Sequence, residues 1–524
     1  MDSQRGPNRP SKPRPPASQE LLGLQVDRGR GAPPLHRQLR DGVRAALLSG
    51  TLAPGMRLPP EREMAAALGV NRTTVTRAYQ ELVADGLVEP RGSAGTIVLA
   101  PGGAAGAAPA PEAPSWLLGL PALGEGRLGP DPTLLRDVAA ALLGDGIVSL
   151  AAGAPGPDLL PVAALGTCLV DGLGRWGREA MGYGAVEGFG PLREILTARL
   201  GRDLVRPGDG VLVVSGATQG LALVARTLVE PGDDVVVEAP TYAGTLQTFG
   251  LAGARMIGVP VDRDGLRTDL LEAVLARRRV RLIVVQPTYQ NPTGTVLSAT
   301  RRERLLELAR RFGVPVLEDD PYHELGFADG GPGPLKLADR TGAVIYLGTF
   351  SKTVMPGLRV GWIAAPQPLL DRLVLAKQFS DLNTNATGQV MLAQFIDSGQ
   401  YEPHLRAVRA EYRRRRDHLC RALAGLSAHL ELPGAPAGGF YLWCRLVAGP
   451  HARLLTALAA REGVSVVAGD AFGVGSGRSG TGDRVRLSYS GCAPDAVPGA
   501  VRRLRAALEQ LPGHATGTGT PVVV

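Results

Sequence analysis

Gly348-Thr349-Phe350-Ser351-Lys352-Thr353-Val354-Met355-Pro356-Gly357-Leu358-Arg359-Val360-Gly361-Trp362 is the stretch that decides the fold of this 524-residue chain. The apolar run Val344-Ile345-Tyr346-Leu347 leads into it and reads as a buried strand. The chain then turns through small residues and presents one amine, with Arg359 seven residues further on. A lysine at a strand end can be dry enough to lose its proton and attack an aldehyde. An arginine nearby suits a phosphate, because its fork of donors matches phosphate oxygens. A lone Ser-Lys in an exposed loop would do neither, so the reading rests on what surrounds Lys352.

Four further segments supply the surroundings. Val211-Leu212-Val213-Val214 is a short apolar strand that ends in Ser215-Gly216-Ala217-Thr218-Gln219-Gly220, followed by a helical pattern from Leu221 to Val229. A small-residue turn at a helix N-terminus offers free backbone N–H groups to a phosphate. Val235-Val236-Val237-Glu238 ends in Ala239-Pro240-Thr241-Tyr242-Ala243-Gly244, where an aromatic ring either stacks on a flat heterocycle or simply packs. Leu282-Ile283-Val284-Val285 ends in Gln286-Pro287-Thr288-Tyr289-Gln290-Asn291-Pro292-Thr293-Gly294, and Val314-Pro315-Val316-Leu317 ends in Glu318-Asp319-Asp320-Pro321-Tyr322. Buried carboxylates are costly unless paired. A protonated pyridine nitrogen is one partner that would retain Asp319 at a strand end. An aldehyde, a phosphate and a pyridine together describe pyridoxal 5'-phosphate, PLP.

On Asn291-Pro292-Thr293-Gly294, Asp319…Tyr322 and Ser351-Lys352…Arg359, about residues 145–510 resemble the fold-type I, aspartate-aminotransferase-like PLP proteins. The resemblance implies an α/β large domain with a smaller C-terminal α+β domain. It also implies roles. Lys352 is the amine that condenses with PLP, and Asp319 holds the pyridinium N–H. Asn291 and Tyr322 hydrogen-bond the phenolic oxygen, and Tyr242 stacks on the ring. Gly216, Ala217, Thr218, Thr349, Ser351 and Arg359 gather the phosphate. Tyr183, in Tyr183-Gly184…Gly188…Leu192-Arg193, matches the tyrosine that reaches the partner subunit's phosphate, which implies at least a dimer. Arg484-Val485-Arg486-Leu487-Ser488-Tyr489-Ser490 matches the segment whose arginine grips a substrate α-carboxylate. Arg486 fits that register better than Arg484, and the upstream Gly438-Gly439-Phe440-Tyr441-Leu442-Trp443 supports it. A surface strand charge is the plainer reading of Arg486.

The first hundred residues are a different object. Leu35 to Leu48 reads as an amphipathic helix with Leu35, Leu39, Val43 and Leu47 at four-residue intervals. Gly50 and Pro54-Gly55 punctuate its end. Leu58-Pro59-Pro60-Glu61-Arg62-Glu63-Met64-Ala65-Ala66-Ala67-Leu68-Gly69-Val70 reads as a short helix closed by glycine, and Asn71 sits where an N-cap is wanted. The next helix opens at Arg72, with Val75, Ala78, Tyr79 and Leu82 as its core stripe and Arg72, Thr73, Thr76 and Arg77 pointing elsewhere. A helix, a glycine-containing turn and a polar-basic second helix make a helix-turn-helix signature. Arg91-Gly92-Ser93-Ala94-Gly95-Thr96-Ile97-Val98 follows as a wing. From about Leu35 to Leu99 this resembles the GntR-type winged helix-turn-helix, departing from it at Pro60, where the family usually carries a serine cap. The resemblance implies contacts to operator double-stranded DNA from Arg62, Arg72, Thr73, Thr74, Thr76 and Arg77, with Gly95 letting the wing approach the backbone. Arginines to guanine would specify, whereas threonine hydroxyls more often position against phosphates.

Composition bounds the rest. The length allows two or three domains. The formal net charge is +8, and residues 1–100 hold 14 Lys and Arg against 9 Asp and Glu, a net +5. A small basic head is the electrostatic footprint of DNA binding. The expected organisation is a disordered basic arm over 1–30, a winged helix-turn-helix over 31–100, a Pro/Gly/Ala-rich linker over 101–140, a PLP-binding domain over 141–510 and a disordered tail over 511–524. A helix over Pro132 to Leu143 would open the large domain. A flexible linker of about 30 residues reaches roughly 30 Å. No stretch approaches a membrane span, and residues 1–20 carry no apolar run of a signal peptide. Cys168, Cys420, Cys444 and Cys492 are scattered, without zinc spacing, and read as buried thiols in a reducing cytoplasm. Gly473-Val474-Gly475-Ser476-Gly477-Arg478-Ser479-Gly480 reads as a mobile surface loop rather than a phosphate loop.

The fused pair resembles the MocR subgroup of transcriptional regulators. That implies a head-to-tail homodimer that responds to PLP or to a PLP–amino-acid adduct and controls vitamin B6 or amino-acid metabolism genes. Two other readings stay open: a working aminotransferase carrying a DNA-binding head, and a DNA-binding protein whose body only dimerises.

Overall fold

The computed structural model describes residues 33–48, 52, 56–90, 95–99, 146–328, 330–475 and 480–512. The expected basic arm, the linker with the Pro132–Leu143 helix, the wing tip Arg91–Ala94, the loop residues 476–479 and all but the first two residues of the tail lie outside them. The chain divides into two compact units between Leu120 and Pro121.

In the first unit, helix α1 (Leu35–Leu48) buries Leu39, Val43 and Ala46. Leu35 is only half-buried, and the side chain of Leu47 is outside the description. Helix α2 (Glu61–Leu68) starts directly after Pro60, without a side-chain cap, and stops at Gly69 in the left-handed region at φ 59°. Proline tolerates this position because its ring presets the backbone, and its carbonyl accepts the Met64 N–H at 3.0 Å, though its side chain supplies no acceptor. Helix α3 (Arg72–Ala84) is capped as expected: the Asn71 side chain accepts the Thr73 N–H at 3.1 Å. Its buried face is Val75, Ala78, Tyr79 and Leu82. The Tyr79 hydroxyl donates to the Pro59 carbonyl at 2.8 Å and ties α3 to the turn before α2. Strands β1 (Val88–Pro90) and β2 (Thr96–Val98) pair antiparallel as the wing.

Among the described residues, the first strand of the second unit is β3 (Val148–Ser149). Its main strands are β4 (Asp209–Val214), β5 (Asp234–Ala239), β6 (Arg255–Asp262), β7 (Gly265–Leu266), β8 (Val280–Val285), β9 (Val316–Asp320), β10 (Val344–Thr349) and β11 (Gly361–Pro366). They form one sheet in the order β4-β11-β10-β9-β8-β5-β6-β7. β5, β6, β8, β9 and β10 run parallel, and β11 runs antiparallel between β10 and β4. β5, β8, β9 and β10 are buried on both faces, which is why their apolar stretches read as Val/Leu/Ile runs, whereas β6, nearer the sheet edge, is mostly exposed or half-buried. A smaller sheet, β12 (Leu430–Glu431), β13 (Tyr441–Leu446), β15 (Val467–Ala468) and β16 (Arg484–Ser488), has its own core, and β14 (Val464–Ser465) pairs with β3.

Two boundaries differ from expectation. β9 starts at Val316 and runs through Asp320, because its pairing with β10 continues to Gly348↔Asp320. Glu318, Asp319 and Asp320 therefore lie inside a buried strand, not beyond its end. The helix after β4 begins at Ala217, not Leu221, so the small-residue turn forms its first turn. Gly361 explains how β11 reaches this spot. A β-carbon there would lie 2.8 Å from the Gly348 carbonyl oxygen and 3.2 Å from the Ala217 nitrogen.

Replacing Asn71 by alanine should destabilise the start of α3 by about 1 kcal/mol. Hydrogen exchange should then be several-fold faster at Thr73 and Thr74 and unchanged in the large sheet; unchanged exchange at both threonines would contradict the capping role.

Candidate functional sites

The chemistry gathers at the C-terminal ends of the parallel strands, where sheets of this kind bind ligands. A cavity of about 350 Å³ there is lined by Ala217, Thr218, Tyr242, Asn291, Asp319, Tyr322, Thr349, Ser351, Lys352, Arg359 and Arg486 among others. The volume falls within the range for small-molecule sites, roughly 300–1,000 Å³. Segments spread over 336 residues of sequence, from Ala151 to Arg486, thus meet in one place.

One end is built to take an anion. Gly216, at φ 81°, caps the helix Ala217–Leu228, and a β-carbon on it would strike the Arg359 guanidinium at 2.7 Å. Arg359, itself left-handed at φ 53°, donates to the Ser215 carbonyl at 3.0 Å. The Thr349 hydroxyl donates to Ser351 Oγ at 3.0 Å and accepts the Ser351 N–H. Helix-end N–H groups, two hydroxyls and a guanidinium make a phosphate-type donor set.

Lys352 is half-buried, and its amine donates to the Gly153 carbonyl at 2.6 Å. Burial pushes this amine below the ordinary lysine value, and the Arg486 and Arg359 guanidiniums push the same way, against the pull of Tyr441 and Asp319. Asp319 is raised to about 6 by burial, while the Gln286 amide and Lys352 hold it down. The Tyr322 hydroxyl donates to the Tyr441 hydroxyl at 3.1 Å. The Tyr242 ring lies against Gly244, where a β-carbon would come within 2.4 Å of it.

Arg486 is buried on β16, with Nη1 donating to Asn291 Oδ1 at 3.0 Å and Nη2 to the Ala151 carbonyl at 2.7 Å. Its guanidinium lies 4.2 Å from the Tyr441 ring centroid, a cation–π contact. Its Nε is buried without a hydrogen-bond partner. Arg484 lines a second cavity of about 730 Å³, walled by Pro433, Pro436 and Trp443 and sharing only Tyr441 with the first. Tyr183 is apart from both cavities and 93% exposed.

The sequence reading passed over three participants. Gln286 lines the cavity and bonds Asp319, although it was visible as the residue after β8. Tyr441 faces Tyr322 and Arg486. Gly153 passes so close to Tyr441 that a β-carbon would sit 2.0 Å from the phenol oxygen.

In the head, Arg62, Arg72, Thr73 and Arg77 are exposed, and Thr74 and Thr76 are half-buried. Glu61 gathers two of them: Arg72 Nε pairs with it at 3.2 Å, and the Thr76 hydroxyl donates to it at 2.9 Å. Arg77 pairs with Glu81 one turn on, at 3.5 Å. Gly95, at φ 84°, passes under Arg57, whose Nε would be 2.4 Å from a β-carbon there. This gives the glycine an intramolecular reason beside any approach to DNA.

Residues 160–504 match the family described as aminotransferase class I and II, and residues 35–98 match the bacterial regulatory proteins of the gntR family. The HTH-type transcriptional regulator YisV of Bacillus subtilis, itself uncharacterized, is 33% identical over 78% of this chain and 84% of its own length. MocR of Rhizobium meliloti, a probable rhizopine catabolism regulatory protein, is 33% identical over 75% of this chain and 77% of its own. The structure of LysN, the α-aminoadipate aminotransferase of Thermus thermophilus complexed with N-(5'-phosphopyridoxyl)-L-leucine, superimposes with a TM-score of 0.67 at 33% identity, over 75% of this chain and 98% of that one.

The chain has four lysines. Lys336 and Lys377 are buried in ion pairs with Asp209 and Asp381, and Lys12 lies outside the described residues. Trace acylation of the unliganded protein should therefore show Lys352 titrating below the ordinary lysine value. In Asp319→Asn the midpoint should fall further, since the anion that favours the ammonium is gone. A wild-type midpoint at or above the ordinary value would contradict this.

Proposed function

This chain belongs to the class I and II aminotransferases and carries a head of the gntR regulatory family, and from that membership we propose a DNA-binding transcriptional regulator whose signal is PLP, or an amino acid captured on PLP. The union of a helix-turn-helix head with a body that keeps a full cofactor-type donor set is the observation that carries the reading.

The donor set fits PLP. The cradle at Gly216 would be filled by a β-carbon, and the Arg486 Nε is buried without a partner beside the ring end of the cavity. When bound, PLP supplies an aldehyde for a lysine amine and a pyridinium ring that draws electrons. The chain's own groups then have defined tasks. Lys352 offers an amine whose burial favours the neutral, nucleophilic form. Asp319 holds the proton at the ring nitrogen, Asn291 and Tyr322 hold the phenolic oxygen, and Tyr242 covers the ring face. Gly216, Ala217, Thr218, Thr349, Ser351 and Arg359 gather the phosphate.

Arg486 takes the carboxylate of an amino-acid effector, exchanging its contact to the Ala151 carbonyl for a charged partner. Tyr183 completes the phosphate site of a second copy, which makes the regulator a homodimer, arranged head-to-tail. Operator DNA meets Arg62, Arg72, Thr73, Thr74, Thr76, Arg77 and Gly95, and the protein works in the cytoplasm, where that DNA is. Ligand and DNA affinity are coupled only if the ligand favours one of two conformations.

A second reading, an active aminotransferase with a regulatory head, is favoured by the presence of Lys352, Asp319 and Arg486 together in one cavity. Steady transamination of an amino acid with 2-oxoglutarate, orders of magnitude above Lys352→Ala, would select it.

Arg72→Ala and Arg77→Ala should each weaken operator binding by about 1–3 kcal/mol if they contact bases. The absorbance of bound PLP should be intact in both, and Lys352→Ala should lose that absorbance while keeping basal operator binding. Unchanged operator affinity in both arginine variants would contradict the assigned recognition helix.

A further inference from the structure

Gln286 is buried at the end of β8, and both ends of its amide are used. Nε2 donates to Asp319 Oδ2 at 2.6 Å, and Oε1 accepts the Asn291 N–H at 3.0 Å. The residue is itself pinned, because its backbone N–H donates to Glu238 Oε2 at 3.0 Å. Gln290 Nε2 donates to the same Glu238 oxygen at 3.3 Å and to the Pro240 carbonyl at 2.7 Å. Asn291 continues the chain of contacts through its Oδ1 to Arg486.

Resting on the reading of this cavity as a PLP site, we infer that Gln286 is a positioning residue that keeps Asp319 an anion aimed at the ring nitrogen and ties it to the Asn291–Arg486 pair. Only a side chain with a donor and an acceptor a fixed distance apart can do both. Leucine would leave the buried carboxylate without its short hydrogen bond, and glutamate would bring a further carboxyl against Asp319 and Asp320.

The consequence is a pH dependence. The groups that face Asp319 are Asp320, Glu238, Tyr242, Lys352 and the Gln286 amide. Burial drives Asp319 toward its protonated form, with the balance at about 6, and Gln286 opposes that drive. A protonated Asp319 no longer accepts a ring N–H strongly. Loss of the Gln286 donor raises the Asp319 value, so PLP affinity is lost at a higher pH as the solution is acidified.

The test is PLP affinity, read from the absorbance of the bound chromophore in the full chain, across a pH series for wild type, Gln286→Leu and Gln286→His. Wild type should lose affinity through about pH 6. Gln286→Leu should lose it about one pH unit higher, and should bind about fivefold more weakly at the wild-type midpoint, approaching tenfold below it. Gln286→His, which keeps an N–H of similar reach, should not show the upward shift, because an imidazole charged near this pH also favours the Asp319 anion. Should Gln286→Leu not fold, Gln286→Asn, one methylene short, should show the same upward shift. A folded Leu or Asn variant with the wild-type midpoint and affinity would overturn the inference. Wild-type protein that binds no PLP at any pH would overturn the PLP reading instead.

Discussion

A buried carboxylate and a half-buried amine must be kept within each other's field at the end of one sheet, and the rest of the body follows from that. Asp319 lies inside β9, level with Leu347 of β10, and Lys352 follows β10 by three residues. Neither group is tolerated alone in a dry interior. Each favours the charged form of the other, while burial opposes both. Parallel pairing sets this geometry, because adjacent strands that run the same way deliver their C-terminal ends to the same edge. Gly361 then lets β11 return between β10 and β4, which brings Arg359 against Gly216 and adds an anion-binding corner to the charged pair.

The second structural theme is the reach of the small sheet into that edge. Arg486 sits on β16 but bonds Asn291 at the end of the large sheet and the Ala151 carbonyl of the segment that follows β3. A ligand carboxylate at this arginine would therefore act on a contact between two sheets at once. That is the kind of differential contact a conformational signal requires, since a ligand equally at home in both conformations shifts nothing. Glu61 plays a comparable local part in the head. By holding Arg72 and Thr76 it limits the directions in which α3 can present them.

Much of this was legible in the sequence because the decisive residues sit at strand ends flanked by apolar runs. Lys352, Asp319, Asn291 and Tyr322 stand at such places and line one cavity, and the expected stripe of α3, Val75, Ala78, Tyr79 and Leu82, is its buried face. Other features depended on partners far away in sequence. β9 ran on through three acidic residues because β10 kept pairing with it, which local polarity argues against. Arg484 and Arg486 lie two residues apart on a strand and share a face, so alternation could not separate them. Their different cavities do. Gln286 and Gly153 carry no motif of their own; their importance lies in Asp319, Asn291, Tyr441 and Lys352 being packed beside them.

The most direct test of the account is the affinity of the full chain for the DNA upstream of its own gene, measured with and without PLP at one fixed salt concentration, in wild type and Lys352→Ala. Salt must be fixed because phosphate contacts make such affinities steeply salt-dependent. The account predicts that PLP, alone or together with an amino acid, changes wild-type affinity and leaves the Lys352→Ala affinity unchanged. An operator affinity indifferent to PLP and to amino acids in a wild type that binds PLP would contradict it, and would leave the body without regulatory coupling to its head.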